Sequence, residues 1–314
     1  MRAFQASLFS DEPAVPFLKW AGGKGQLLGA IDARLPAALR KGTVRRYVEP
    51  FMGGASVFFH VIQNHPAREH VLMDANEDLV LVYRVVRDYA EPLVERLEGL
   101  DREYKTHGDA ARRDLYYTVR SRFNEMRAAV DYNVFHAEWV ERAALAVFLN
   151  RTCFNGLFRM NAGGGFNTPF GKYKNPRICD GENLRRASAL LKRADLYCAD
   201  FSEASGLVER GDFAYFDPPY RPISASASFT AYSRHAFGDP EQERLARLFR
   251  MLDGRGAKLL LSNSDPRNTN PNDGFFDDLY AGYVVERVPA SRSINSRADG
   301  RGPVNELLIR NYAV

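Results

Sequence analysis

Four consecutive residues, Asp217-Pro218-Pro219-Tyr220, set a carboxylate and a phenol ring around two residues that lack a backbone N–H. The prolines fix the backbone, Tyr220 presents a flat ring, and the Pro218 carbonyl has no neighbouring amide hydrogen to satisfy. A rigid group of acceptors beside an aromatic plate suits an exocyclic amino group on a flat heterocycle: the acceptors take its two hydrogens and the ring stacks on its face. The plainer reading of the same tetrapeptide is a strand followed by a Pro-Pro turn. The rest of the chain has to decide between them.

The elements that would position this group follow from pattern. Asp212-Phe213-Ala214-Tyr215-Phe216 reads as a short buried strand, which places Asp217 at its carboxyl end, where open α/β sheets bind ligands. Upstream, Phe17-Leu18-Lys19-Trp20-Ala21-Gly22-Gly23-Lys24 sets a cation and an indole around two glycines just before a helical stretch, Gln26 to Leu35; it lacks the frame of a P-loop. A strand over Arg46 to Glu49 then runs into Pro50-Phe51-Met52-Gly53-Gly54-Ala55-Ser56 and a helix start at Val57, the first βα unit of a nucleotide-binding sheet. A second strand over Val71 to Met73 ends in Asp74 about 20 residues on, the place of a carboxylate that hydrogen-bonds a ribose, although Asp74 could instead cap the helix beginning near Asn76. A further strand, Leu196 to Ala199, ends at Asp200-Phe201, a carboxylate and a ring for an adenine edge and face.

Between these halves the periodicity turns helical. Three amphipathic helices are marked by Leu79, Val82, Tyr83 and Val86; by Leu115, Val119, Phe123 and Met126; and by Trp139, Ala143, Val147 and Phe148. This block interrupts the βα alternation and reads as an insertion. It continues into residues 151–177, which hold Arg151, Arg159, Lys172, Lys174 and Arg177, no acid, and five interleaved aromatics, with Gly163-Gly164-Gly165 as a hairpin tip. Such a segment is what a phosphate-tracking, base-contacting surface looks like. After the central strand come a small-residue loop from Ser224 to Thr230, a helix capped by Asp239 with Pro240 in its first turn, and a strand from Lys258 to Leu261. The tail reads as a hairpin, Tyr283 to Val288 with Glu306 to Tyr312, joined by the basic segment Arg292 to Arg301.

Composition narrows the class. The 314 residues are 45% hydrophobic and 26% charged, as in soluble globular proteins, and no apolar run nears the roughly 20 residues that cross a bilayer. A cytoplasmic protein with no membrane partner is expected. Residues 101–193 carry 17 Lys and Arg against 10 Asp and Glu, so the net charge of +4 hides a basic insertion and an acidic remainder. Cys153, Cys179 and Cys198 have neither metal spacing nor disulfide density, so they read as reduced and structural, and no metal is expected.

With these residues in hand the chain resembles the Dam-type DNA adenine-N6 methyltransferases, from about Phe17 to Tyr312. Carrying the resemblance are Phe17 to Lys24, Glu49-Pro50-Phe51, Asp74, Asn150-Arg151 with Asn155-Gly156-Leu157 and Arg159, Phe166 to Gly171, Asp217 to Tyr220 and Glu306-Leu307-Leu308; their order is that of the family's α group. The resemblance implies an α/β fold: a Rossmann-like class I methyltransferase sheet, mostly parallel with an antiparallel C-terminal hairpin, and an inserted, mainly helical target-recognition domain. Residues 1–75 and 180–314 would form the catalytic domain and 76–179 the recognition domain. S-adenosylmethionine would lie against Trp20, Lys24, Phe51, Gly53, Asp74, Asp200, Phe201 and Asp217. Asp217, Pro218, Pro219 and Tyr220 would receive an adenine flipped from duplex DNA. Lys19, Phe154, Asn155, Leu157, Arg159, Pro169 and Tyr173 match positions that touch bases or fill the gap in the stack, which points to GATC. The family setting is a bacterial or phage cytoplasm, with a cognate restriction endonuclease as a possible partner. One departure stands out: Ala55 occupies a place in the glycine turn where the family usually has glycine. Two rival readings share the fold: a methyltransferase acting on RNA adenine or a protein amide, and a catalytically silent DNA-binding relative. Asp217 at the head of the motif favours adenine over an amide, and cofactor binding separates the silent relative.

Overall fold

The computed structural model describes residues 12–161, 163–221, 237–291 and 303–314. Seven strands, β1 (Arg46–Glu49), β2 (Glu69–Asp74), β3 (Ala194–Cys198), β4 (Phe213–Phe216), β5 (Lys258–Ser264), β6 (Val284–Ser291) and β7 (Pro303–Arg310), form one sheet in the order β3-β2-β1-β4-β5-β7-β6. β1 to β5 are parallel to their neighbours, and β7 lies antiparallel between β5 and β6. This is the expected α/β methyltransferase sheet, with the expected antiparallel pair at its end.

The strands are short and apolar because both faces of the sheet are covered. Side chains alternate: Tyr47, Leu72, Phe213, Tyr215, Leu260 and Leu308 enter one core. Val48, Val71, Ala214, Phe216, Leu259, Leu261 and Ile309 enter the other. The first face carries α1 (Leu28–Asp32), α3 (Ser56–Asn64), α4 (Glu77–Asp88) and α8 (Gly181–Leu191), with the short α2 (Ala37–Arg40) beside them; the second carries α9 (Asp239–Gly254) and α10 (Phe275–Leu279). The expected Gln26 to Leu35 helix is shorter, a 3-10 turn over Lys24–Gln26 followed by α1.

Between β2 and the basic hairpin the chain builds four α-helices where three were expected: α4, α5 (Ala90–Thr106), α6 (Asp109–Met126) and α7 (Glu138–Thr152). α5 starts one residue after α4, with Pro92 in its first turn, and buries Leu93, Val94, Leu97, Leu100 and Tyr104. α7 is buried on nearly every side, which marks it as the core of the layer. Its Arg142, 1% exposed, bonds Asp78 Oδ1 at 2.6 Å and the Phe123 carbonyl at 2.8 Å, so one cation ties α7 to α4 and α6. After α7 the chain turns back: Cys153 pairs with Phe170 and Met160 with Phe166, and Asn161 closes on Gly164 and Gly165, the expected hairpin tip. The Ser224 to Thr230 loop and the Arg292 to Arg301 segment lie outside the described residues. Among the described residues no helix is long and apolar enough to cross a membrane.

β1 and β4 are hydrogen-bonded neighbours, with Tyr47 opposite Phe213 and Val48 opposite Ala214. Strand order reverses there, since β1 leads outward to β2 and β3 while β4 leads the other way to β5. The crevice at such a reversal, beyond the carboxyl ends of the strands, is the ligand site of open α/β sheets. Both Glu49-Pro50-Phe51 and Asp217-Pro218-Pro219-Tyr220 leave the sheet into it.

Candidate active site

Asp217 is the first residue past β4. Its Oδ1 lies 2.5 Å from Lys24 Nζ and accepts Ser262 Oγ at 3.0 Å, while Oδ2 has no hydrogen-bond partner among the described residues. Lys24 is 3% exposed, and its three N–H groups are all used: the second meets the Gly22 carbonyl at 2.8 Å and the third the Tyr220 hydroxyl at 3.1 Å. Tyr220 in turn donates to Glu306 Oε2 at 2.6 Å. Burial raises the Asp217 carboxyl above its usual range, against the opposing pull of Lys24 and Ser262. Beneath this layer Tyr47 donates to Glu49 Oε2 at 2.6 Å, and burial pushes the Glu49 carboxyl up to about 8 despite that bond.

The rest of the motif is clamped as well. Gln242 Nε2 reaches the Pro219 carbonyl at 3.1 Å. Arg221, the next residue along, grips Asp239 through Nε at 2.6 Å and Asp273 through Nη1 at 2.7 Å. The expected cap role of Asp239 is therefore corrected: Gly238 occupies the cap of α9 and the Asp239 carboxylate belongs to Arg221.

Residues 17–24 join everything else to this centre. The Lys19 amide and carbonyl both bond the side chain of buried Asn150, at 2.8 and 2.7 Å, which fixes the segment to α7. Trp20 stacks on Phe158 of the hairpin, with ring centroids 5.9 Å apart, and lies against the glycine turn. A Cβ on Gly53 would sit 2.9 Å from the Trp20 ring, and Gly53 has φ +44°, so glycine is required there on two counts. Ala55 adopts φ 52° at the start of α3, a left-handed position, which gives a physical reason for the glycine usual in that family place. Asp74 ends β2 as expected, but the cap of α4 is Asn76. The two Asp74 oxygens accept the amides of Gly53 at 3.1 Å and Asn76 at 2.9 Å, and burial lifts its carboxyl to about 6.

Phe51 and Phe201 stack at 5.2 Å, with Phe237 edge-on to Phe51. The Arg244 guanidinium lies 4.1 Å from the Phe201 ring centroid and pairs with Asp200. Burial would lift the Asp200 carboxyl, but hydrogen bonds from Arg244 and Ser202 outweigh it and hold it below its usual range.

The residues expected to face DNA gather on the hairpin. Phe154, Asn155 and Pro169 are exposed, and the Phe154 amide donates to the Pro169 carbonyl at 2.8 Å. Asn155 is held at φ 55°. Leu157 is half-buried; Arg159 Nε donates to Asn167 Oδ1 at 3.2 Å. Lys19 lies over the Tyr173 ring, 4.6 Å from its centroid. Burial and then Arg151 lower the Lys19 ammonium from its usual range.

Sequence reasoning gave no role to Ser262, Gln242, Arg221, Arg244 or Phe237. Most are single polar residues on β5 and α9, whose convergence on 200–221 is a matter of topology and leaves no local motif. Elsewhere, Asp32 Oδ1 meets His60 Nε2 at 2.7 Å and His65 Nε2 at 2.6 Å. Two ligands of a tetrahedral ion lie roughly 3.3 Å apart, so these are hydrogen bonds that clasp α1 to the end of α3. Burial of Cys153 and Cys179 raises their thiols to about 12 and about 11.

Residues 20–294 match the D12 class N6 adenine-specific DNA methyltransferases. A Type II methyltransferase, M.MjaIII, of Methanocaldococcus jannaschii is 44% identical over 298 residues, covering 95% of this chain and 99% of its own. The DNA adenine methylase of Escherichia coli K12 is 34% identical, covering 93% of each. The DNA N-6-adenine-methyltransferase of Escherichia phage P1 is 35% identical over 95% of this chain and 36% of its own. The chain belongs to the D12 class of N6 adenine-specific DNA methyltransferases.

Proposed function

We propose that this enzyme moves a methyl group from S-adenosylmethionine to N6 of an adenine flipped out of duplex DNA, and that its site is GATC. The observation that carries this reading is the unshared oxygen of Asp217. Lys24 and Ser262 occupy Oδ1, which leaves Oδ2 free among the described residues at the carboxyl end of β4.

The adenine N6 lone pair is delocalised into its ring and is a poor nucleophile. A hydrogen bond from the amino group to Asp217 Oδ2, and a second to the Pro218 carbonyl, favour a more tetrahedral nitrogen whose lone pair points at the methyl carbon. The N–C bond would form as the S–C bond breaks, leaving S-adenosylhomocysteine as a neutral thioether, and the proton lost from the amino group would pass to solvent. Tyr220 would stack on the flipped base, offsetting an unstacking cost of a few kcal/mol. S-adenosylmethionine supplies the methyl as an electrophile on a sulfonium. The residues proposed to hold it suit it: a glycine turn whose backbone approaches closely because no Cβ would fit beside Trp20, the Asp74 carboxylate beside that turn, and the Phe51 and Phe201 rings with Asp200 adjacent.

Residues 76–179 would act as the recognition unit and 1–75 with 180–314 as the catalytic unit. The phage and enterobacterial relatives are named as adenine methylases, whereas M.MjaIII is named a Type II methyltransferase; a cognate restriction endonuclease acting on the same site is the partner proposed for this chain. Expression in a methylation-free host, followed by long-read mapping of modified adenines, tests the reading: N6-methyladenine confined to GATC upholds it, another motif overturns the site, and no modification overturns the reaction.

A further inference from the structure

Tyr220 is held by more than its prolines. Its hydroxyl accepts from Lys24 Nζ at 3.1 Å, so its own hydrogen is free for Glu306 Oε2, 2.6 Å away. The two bonds impose a direction: Lys24 donates, Tyr220 passes on, and Glu306 accepts. Glu306 is well placed to be the fixed end. It sits on β7, which is paired on both sides, opposite Ser264 of β5 and Val288 of β6. A carboxylate on a strand laddered at both edges cannot follow a moving loop. Tyr220, by contrast, lies past two prolines and beyond the last residue of β4.

Lys24 completes the link. It touches Asp217 Oδ1 and Tyr220 at once, which makes a continuous polar chain from Glu306 through Tyr220 and Lys24 to Asp217. In that chain one ammonium stands between two carboxylates, and the phenol carries the hydrogen bond across. Replacing Glu306 with an apolar residue removes the acceptor that fixes the direction of the Tyr220 hydroxyl, leaving Lys24 to hold the ring from the other side.

We propose that Glu306 is a positioning residue for the reaction: it locks the Tyr220 ring in the plane that receives the target base and, through Lys24, sets the orientation of Asp217. This rests on the function proposed above. Glu306 touches neither base nor methyl donor in the proposal; it acts through Tyr220, so its loss slows methyl transfer while cofactor and DNA affinities stay in place.

The test is a set of four variants, Glu306→Ala, Glu306→Gln, Tyr220→Phe and the double Tyr220→Phe/Glu306→Ala. Each is measured for single-turnover methylation of a duplex bearing the mapped site, for S-adenosylmethionine and duplex affinity by calorimetry, and for melting temperature. Glu306→Ala is expected to lower the single-turnover rate roughly ten- to a hundredfold, the scale of a lost hydrogen bond to a charged group, with both affinities within about threefold of wild type. Glu306→Gln, which keeps an acceptor oxygen, recovers most of the rate. Tyr220→Phe falls similarly, and the double variant falls no further, because the two residues act as one unit. A Glu306→Ala rate within twofold of wild type overturns the role, as does additivity in the double variant or a loss of cofactor affinity in step with the rate. Should Glu306→Ala not fold, full activity of Tyr220→Phe overturns it instead. A wild-type enzyme that methylates no adenine refutes the proposed function itself, whereas an active wild type with an unaffected Glu306→Ala refutes only this inference.

Discussion

Lys24 Nζ and Asp217 Oδ1 are 2.5 Å apart, with the lysine 3% and the aspartate side chain 20% exposed. The pair joins the buried cation of the 17–24 segment to a carboxylate 193 positions later, at the end of β4. A buried pair contributes little over an apolar pair of equal shape, but breaking it leaves a charge with no partner. Lys24→Met is therefore expected to cost about 3 to 5 kcal/mol at pH 8 in urea unfolding. The sign follows from linkage: without Lys24 the folded-state carboxyl of Asp217 rises further, so the deficit grows as pH rises through the raised carboxyl range and shrinks toward acid pH. Adding Asp217→Asn to Lys24→Met should restore most of the loss. A deficit that is the same at pH 5 and pH 8 would show that the ammonium matters for some other reason.

Glu49 lies under this pair, 2% exposed, with its carboxyl raised from 4.5 to about 8 by burial. A carboxyl raised in the folded state binds its proton more tightly there than when unfolded. Its contribution is whole below about pH 4.5 and is lost as pH climbs through about 8. Glu49→Gln keeps a neutral, hydrogen-bonding side chain and removes that titration. Its melting temperature should run close to wild type at pH 5 and exceed it increasingly up to about pH 8, levelling off above that, by an amount on the order of a few kcal/mol in stability. Parallel curves across that range would rule out Glu49 as the titrating group.

Much of this was open to sequence reasoning because it is local. β1 spans Arg46–Glu49 as expected, and Asp74, Asp200 and Asp217 each stand at or just past a strand end, since a short apolar run that stops at a turn has few alternatives. The Trp20 and Lys24 segment was recognised as a site, but not as the connector that touches Asn150, Phe158, Gly53 and Asp217 together. That role depends on contacts between residues up to 193 positions apart, which leave no period or spacing. α5 went unnamed although Leu93, Val94, Leu97 and Leu100 repeat at helical spacing, because it follows α4 after a single residue and the two stripes run together. Glu306 was visible as part of a motif, but only the strand order places it beside Tyr220.

Asp74 holds the glycine turn through Oδ2 and the start of α4 through Oδ1, so its loss has two effects that can be separated. Asp74→Asn keeps one carbonyl acceptor and loses the other, and should cost about 1 to 2 kcal/mol of stability from one weakened backbone hydrogen bond. In the proposed role it also loses the carboxylate that meets the ribose. Saturating S-adenosylmethionine should then raise the melting temperature of the variant clearly less than that of wild type. An equal ligand-induced shift in both proteins would remove Asp74 from the cofactor site and leave it a purely structural residue of the turn.

Arg159 carries the specificity question. It stands in the acid-free segment 151–177, and its Nε donates to Asn167 Oδ1 at 3.2 Å, across the hairpin whose strands meet at Met160 and Phe166. That bond uses Nε and leaves the terminal nitrogens without a hydrogen-bond partner among the described residues. An arginine fork presented this way can pair with guanine O6 and N7, a contact worth about 1 to 3 kcal/mol of discrimination. An arginine that only tracks phosphates gives a different result: Arg159→Ala would weaken all duplexes about equally and lower the salt dependence. If it reads guanine in GATC, the same change narrows the rate gap between GATC and a duplex altered only at that guanine pair, by roughly ten- to a hundredfold. Asn167→Ala should reproduce part of that narrowing, because the fork would lose its rest while keeping its charge. Initial methylation rates on the two duplexes decide it: a rate ratio that Arg159→Ala leaves unchanged means the residue follows the backbone, and the guanine is read elsewhere.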